Sequence, residues 1–251
     1  MRNGCLKEIT NNGVYMRISK KRMIYIEQVT VFVLLTFIGG FLDAYTYILR
    51  GGVFANAQTG NLVLFGVNAA KGNIRAAHYL FPVITFMVGV FVSKYLKDKI
   101  SIGKQINYRL VILLMEMLTV FFIGFVPPTA NMNDFTNIII SFITALQYSA
   151  FRTINGLPFA STMCSGMLRS VVDYFYAYTG DTKNKDVLKI CALYFFIIIT
   201  FCIGCVVGCL LSLHLLARSI WICASIFIFV IIVFLLEKKA RCNMPEEYDF
   251  L

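Results

Sequence analysis

The chain has 251 residues, of which 59% are hydrophobic and only 14% charged, and its mean hydropathy is +0.75. A soluble domain would carry about a quarter charged residues, so this composition excludes one and points to a polytopic α-helical membrane protein; the short alternating segments of a β-barrel are missing. The net charge of +10 does not imply nucleic acid, because the basic residues gather in a few loops, as the positive-inside rule expects.

Residues 1–28 form a polar, basic tail with Arg2, Lys7, Arg17, Lys20, Lys21 and Arg22. The tail is too long and polar for a simple signal peptide and reads as cytoplasmic, ahead of an uncleaved first span at 29–49. A short polar segment follows at 53–70. Apolar runs then cover 76–95, 110–126, which Pro127 and Pro128 stop, and 135–151. A poorly hydrophobic segment covers 158–178, and two apolar runs cover 187–213 and 220–236. The expected organisation is a first membrane repeat at 29–126, a second at 135–236, and a cytoplasmic tail at 237–251.

Charge decides how many of these segments cross. If all eight crossed, the Lys94–Arg109 loop would face outside and the loop at 127–134, which has no Lys or Arg, would face inside. Both placements violate the positive-inside rule. If 53–70 and 158–178 are re-entrant or broken helices, every basic cluster falls inside with both termini. The fold expected is therefore an all-α integral membrane protein with six crossings plus two re-entrant or broken helices.

The halves resemble each other. Ile84-Thr85-Phe86-Met87-Val88-Gly89 matches Ile199-Thr200-Phe201-Cys202-Ile203-Gly204, and the match continues through Val92/Val207, Ser93/Gly208 and Leu96/Leu211. Thr36-Phe37-Ile38 matches Ser141-Phe142-Ile143. Thr59-Gly60-Asn61-Leu62 lies against Ser165-Gly166-Met167-Leu168, with Asn56 opposite Thr162. Three crossings per half turn the second half upside down, giving an inverted repeat whose site lies near the midplane, where the broken segments meet.

The pattern Gly40-Phe41-Leu42-Asp43-Ala44, then Gly51-Gly52-Val53-Phe54, then Gln58-Thr59-Gly60-Asn61 resembles the YoaK-like family of bacterial multi-pass membrane proteins. The second half departs from the pattern at Gln147-Tyr148 and Ser165-Gly166. The resemblance implies a membrane location and this fold, and little about chemistry.

Polar groups at membrane depth are the candidate site. An acid within a span faces the bundle interior, so Asp43 could bind a cation or carry a proton; otherwise it pairs with Arg50 or caps a broken helix. Glu116, in the middle of an apolar run, could relay protons or bond a neighbouring helix. Asn56, Gln58, Thr59, Asn61, Gln147 and Thr162 are the expected polar lining, or else helix–helix hydrogen bonds. Arg169 and Asp173, four residues apart, share a helix face: Arg169 could bind an anion, or the two could neutralise each other at an interface. Gly89 and Ser93, like Gly204 and Gly208, have the spacing of close helix packing. His78 and His214 read as interfacial.

No metal or cofactor is expected, and no nucleic-acid partner. The partners implied are the lipid bilayer and a small polar solute or ion, and a homo-oligomer is left open. The leading reading is a small secondary transporter or channel-like permease of the inner membrane, not an enzyme. The alternatives are a membrane-embedded enzyme acting on a lipid or quinone-like substrate, or a non-catalytic membrane scaffold.

Overall fold

The computed structural model describes residues 28–102, 107–154, 157–158, 164–180 and 184–242. Within them lie eight α-helices: α1 (Gln28–Leu49), α2 (Gln58–Ala70), α3 (Leu80–Ile102), α4 (Tyr108–Ile123), α5 (Ala130–Ala150), α6 (Cys164–Thr179), α7 (Lys185–Leu215) and α8 (Trp221–Cys242). A 3₁₀ turn at Ile74–Tyr79 leads into α3, and another at Leu216–Ile220 joins α7 to α8. A two-residue ribbon pairs Thr153–Ile154 with Leu157–Pro158. Three continuous helical runs, Gln28–Leu49, Ile74–Lys99 and Lys185–Leu236, are long and apolar enough to cross a membrane.

Local chemistry sets the boundaries. The side chains of Asn73, Asn107 and Asn184 each accept from the backbone N–H two residues on, satisfying a donor that an open helix start leaves free. The pair Pro127-Pro128 separates α4 from α5, since proline cannot continue a helix. The second polar segment begins later than its composition suggests: residues 50–57 are irregular, and the helix starts only at Gln58. Gly51 and Gly52 adopt φ of 87° and 76° there, a conformation open to glycine without a Cβ clash.

The long helices alternate in direction. At one end of the bundle, Arg50, just past α1, donates to the carbonyls of Val126 and Pro127, just past α4. His78, ahead of α3, pairs with Asp134 in the first turns of α5. The Tyr45 hydroxyl reaches the Ala217 carbonyl, and the Trp221 indole donates to the Phe121 carbonyl. At the other end, Tyr108 and Arg109 donate to the Ala150 carbonyl, and the Phe151 ring contacts Phe32 and Phe234. So α1, α4 and α7 run one way, and α3, α5 and α8 run the other.

The shorter helices reverse nothing. α2 begins beside Asp43, about 9 Å inside the end of α1 at the helical rise, and the chain returns to the end it left, where Gly51 meets the His78 imidazole. α6 lies antiparallel to the first half of α7: Val171 accepts from the Cys191 thiol, while Cys164, seven residues earlier, lies within electrostatic reach of Cys202, eleven residues later.

Two crossings bring backbones into contact. On α7, a Cβ at Gly208 would lie 2.7 Å from the Phe41 carbonyl oxygen of α1, and Gly204 sits more tightly still on Phe37. On α3, a Cβ at Gly89 would lie 2.6 Å from the Phe142 carbonyl oxygen of α5, and one turn on the Ser93 hydroxyl donates to the Leu146 carbonyl at 3.1 Å. Each crossing pairs helices that run in the same direction. The apolar core, including Leu35, Ile38, Phe41, Ile112, Leu146 and Phe227, fills the space between them, while large apolar side chains such as Met87, Phe91, Phe122 and Val206 cover the outside.

Candidate functional site

The break between α1 and α2 gathers most of the expected polar residues, and the structure divides their work. Asn61 brackets Phe54: its Oδ1 accepts from the Phe54 N–H at 2.9 Å and its Nδ2 donates to the Phe54 carbonyl at 2.8 Å. Gln58 donates to the Ala55 carbonyl and accepts from Asn61. These two amides therefore replace the ladder that an irregular backbone lacks, which apolar surroundings require. Thr59 points outward and is exposed. From α5, Asn137 donates to the Arg50 carbonyl at 2.7 Å, and the Thr144 hydroxyl reaches the Ala55 carbonyl.

Asp43 and Asn56 differ from these. Asp43 Oδ1 accepts from the Asn56 N–H at 2.6 Å, and Asn56 Nδ2 donates to the Gly39 carbonyl at 3.1 Å. The amides of Ala55 and Ala57 also lie near the carboxyl, but no described donor meets Asp43 Oδ2 in hydrogen-bond geometry, nor Asn56 Oδ1. Both residues are buried. Each such oxygen costs about 1–3 kcal/mol when left unmet.

Asp43 does not pair with Arg50. The guanidinium lies at the end of α1, fully buried, with Nε and Nη2 on the Tyr45 hydroxyl, Nη1 on the Pro127 carbonyl and Asn133 Oδ1, and Nη2 also on the Val126 carbonyl. No described carboxylate lies in ion-pair contact with it. Carbonyls past the end of α4, where the helix dipole is negative, supply the compensation instead. Sequence reasoning passed over Tyr45 and read Arg50 only as a partner for Asp43. The available signal was an arginine at the end of a span, next to glycines.

Glu116 and Gln147 meet across α4 and α5. With its amide turned so that the NH2 faces the acid, Gln147 donates to both Glu116 oxygens, at 2.9 and 3.2 Å. Glu116 is fully buried, so its partner lies on the neighbouring helix. Arg169 and Asp173 form an ion pair at 3.4 Å, yet both side chains are largely exposed, at 84% and 64%. They lie on the outer face of α6, away from the other candidates. Thr162 lies outside the described residues.

Two elements of the second half also approach Asp43. Cys164, the first residue of α6, and Cys205 of α7 are within electrostatic reach of it. The starts of α2 and α6 thus converge on one depth of the bundle. A separate cavity of about 500 Å³ opens at the end where α3 and α5 begin, lined by Gly51, Asn73, Arg75, His78, Asn133 and Asp134 among others. His78 lines that cavity, its imidazole against the Asp134 carboxylate.

A helical bundle with apolar outer faces, a broken segment at depth and polar groups turned inward defines an integral membrane protein. Residues 31–233 match the model of the family described as "Protein of unknown function (DUF1275)", and the chain belongs to that family. It is 24% identical over 202 residues to the UPF0700 transmembrane protein YoaK of Bacillus subtilis (strain 168), covering 77% of this chain and 88% of that one. No solved structure matches.

Proposed function

We propose that the protein is a small secondary transporter or channel-like permease of the inner membrane for a small polar solute or ion, and not an enzyme. In this reading α1, α3, α4, α5, α7 and α8 cross, α2 and α6 enter and return, and both termini are cytoplasmic. The halves form an inverted repeat, and the solute passes where the broken segments converge, near Asp43, Asn56 and the start of α6. Such placement is common in transporters built from inverted repeats.

The observation that carries the reading is the pair of glycine crossings. Gly204 and Gly208 stand 115 residues after Gly89 and Ser93, and Phe142 and Leu146 stand 105 residues after Phe37 and Phe41. The sequence repeat thus superimposes the α7–α1 contact on the α3–α5 contact, residue for residue, which supports two equivalent units. Each unit takes one helix from each half, an arrangement suited to rocking about a shared site. The cavity beside His78 and Asp134 supplies an entrance from the end opposite the basic loops.

The test is uptake of small polar solutes into proteoliposomes, with and without a proton or sodium gradient. At least one solute is expected to enter with the wild type, and Asp43→Asn with Glu116→Gln to abolish gradient-driven uptake. Flux unchanged in both variants overturns coupling through these acids, and no flux of any solute with correctly oriented protein overturns the transporter reading. A non-catalytic scaffold is the second reading. It draws on Gln58 and Asn61, which spend their hydrogen bonds on backbone, and it expects every variant to be silent in this assay.

A further inference from the structure

Three buried oxygens around the break have no described partner: Asp43 Oδ2, Asn56 Oδ1 and Ser141 Oγ. They come from three elements, α1, the irregular segment and α5. Asp43 and Asn56 are tied to each other by the 2.6 Å bond from the Asn56 N–H. Ser141 lies on the α5 face that follows the irregular segment, between Asn137, which holds the Arg50 carbonyl, and Thr144, which reaches the Ala55 carbonyl. A fourth oxygen, Asn137 Oδ1, belongs to the turn nearer Arg50 and is left out of the cluster. Ser141 carries its own O–H, but the Asp43 and Asn56 oxygens only accept, and buried acceptors left unmet call for an occupant that supplies positive charge.

We infer that Asp43 Oδ2, Asn56 Oδ1 and Ser141 Oγ form the core of a binding site for one sodium-sized monovalent cation. The donor set decides the class. It is all oxygen, which suits hard cations and not soft ones. It carries a single carboxylate, which balances one positive charge, whereas calcium sites use more carboxylates and magnesium keeps its waters. Among the described residues no three His, Cys, Asp or Glu side chains come together to ligate an ion, so Cys164 and Cys205 do not complete a transition-metal site with Asp43. The Asn56 N–H holds the other carboxylate oxygen and leaves Oδ2 open to an occupant. The competing occupant is a proton on Asp43, shared with Asn56 Oδ1; it would use two of the three oxygens and leave Ser141 idle.

The role of this ion in coupling rests on the transporter reading, but its binding does not. The experiment is equilibrium binding of radioactive sodium to the full-length protein in detergent at pH 8, in choline chloride and without any solute. Saturable binding of about one ion per chain is expected. Asp43→Asn loses the saturable component, and Ser141→Ala weakens it by about threefold to tenfold. Both variants are checked for a single monodisperse species, and Ser141→Ala keeps the test open if Asp43→Asn fails to fold. No saturable sodium binding by the wild type at pH 8, as protonation alone predicts, overturns the site, and so does wild-type affinity in folded Asp43→Asn. Sodium bound by a protein that moves no solute upholds the site and sinks the transporter reading. Flux without sodium binding does the reverse.

Discussion

Gly89→Ala tests the crossing on which the architecture depends. The added methyl would sit 2.6 Å from the Phe142 carbonyl oxygen and 2.7 Å from Ala145 Cβ. Ordinary contact begins near 3.4 Å, so α3 and α5 must part by about 0.8 Å at the point where they are closest. Neither obstacle can swing aside, since one is helix backbone and the other a Cβ. Overpacking of this kind costs about 1–3 kcal/mol, and the better helix propensity of alanine returns about 1 kcal/mol. The net loss is up to about 2 kcal/mol. For a chain of this size that lowers Tm by at most roughly 4–8 °C. Gly66→Ala on α2 is the control, because nothing lies within 4 Å of the new methyl; propensity alone should then hold or raise Tm. The assay is thermal unfolding of purified protein in one detergent. A Gly89→Ala variant as stable as Gly66→Ala would refute the close approach. Gly204→Ala should fall in the same direction, because its methyl meets the Phe37 backbone.

Gln147→Leu leaves Glu116 buried without its donor and should destabilise by about 1–3 kcal/mol; adding Glu116→Leu should recover most of that loss, as a double-mutant cycle in thermal unfolding would show. Arg50→Lys replaces a five-donor fork by a point charge that cannot span Tyr45 and two carbonyls. A loss of about 1–3 kcal/mol is expected in the same assay. Arg169→Ala should change stability by less than about 0.5 kcal/mol, because an exposed ion pair contributes little. Labelling of single cysteines by an impermeant thiol reagent in a Cys-free background should mark positions 71 and 131 from outside, and not 99 or 185. The opposite pattern would refute the proposed topology.

Much of the framework was legible because its signals are local. Apolar run length marks the helices, Pro127-Pro128 ends one, and the glycines at 51 and 52 announce the break. The small-residue spacings at Gly89 and Gly204 announced close packing, although the sequence did not say against which helix. Partnerships between helices depend on how each helix is rotated, and a linear sequence carries that weakly. So the Asp43–Arg50 pairing, natural at a spacing of two turns, gives way to the Asn56 amide on one side and the carbonyls beyond α4 on the other. Glu116 and Gln147 were both candidates, but their meeting needed the fold. Of the two readings of Arg169 and Asp173, the structure shows the mutual ion pair on an exposed face; α6 is poorly hydrophobic all along, and its sequence alone does not say which face turns inward.

The α7–α1 crossing has a consequence for synthesis. Phe37 and Gly204 are 167 residues apart, so at about 5–20 residues per second the first helix waits roughly 10–30 s for its partner to be made. The α3–α5 contact closes sooner, since Gly89 and Phe142 are only 53 residues apart. The middle of the chain can therefore assemble while the first helix stands in lipid with its Phe37 and Phe41 face unpaired. Emergence of α7 then draws the beginning of the protein into place, so that a chain cut short before it would leave α1 without its lock.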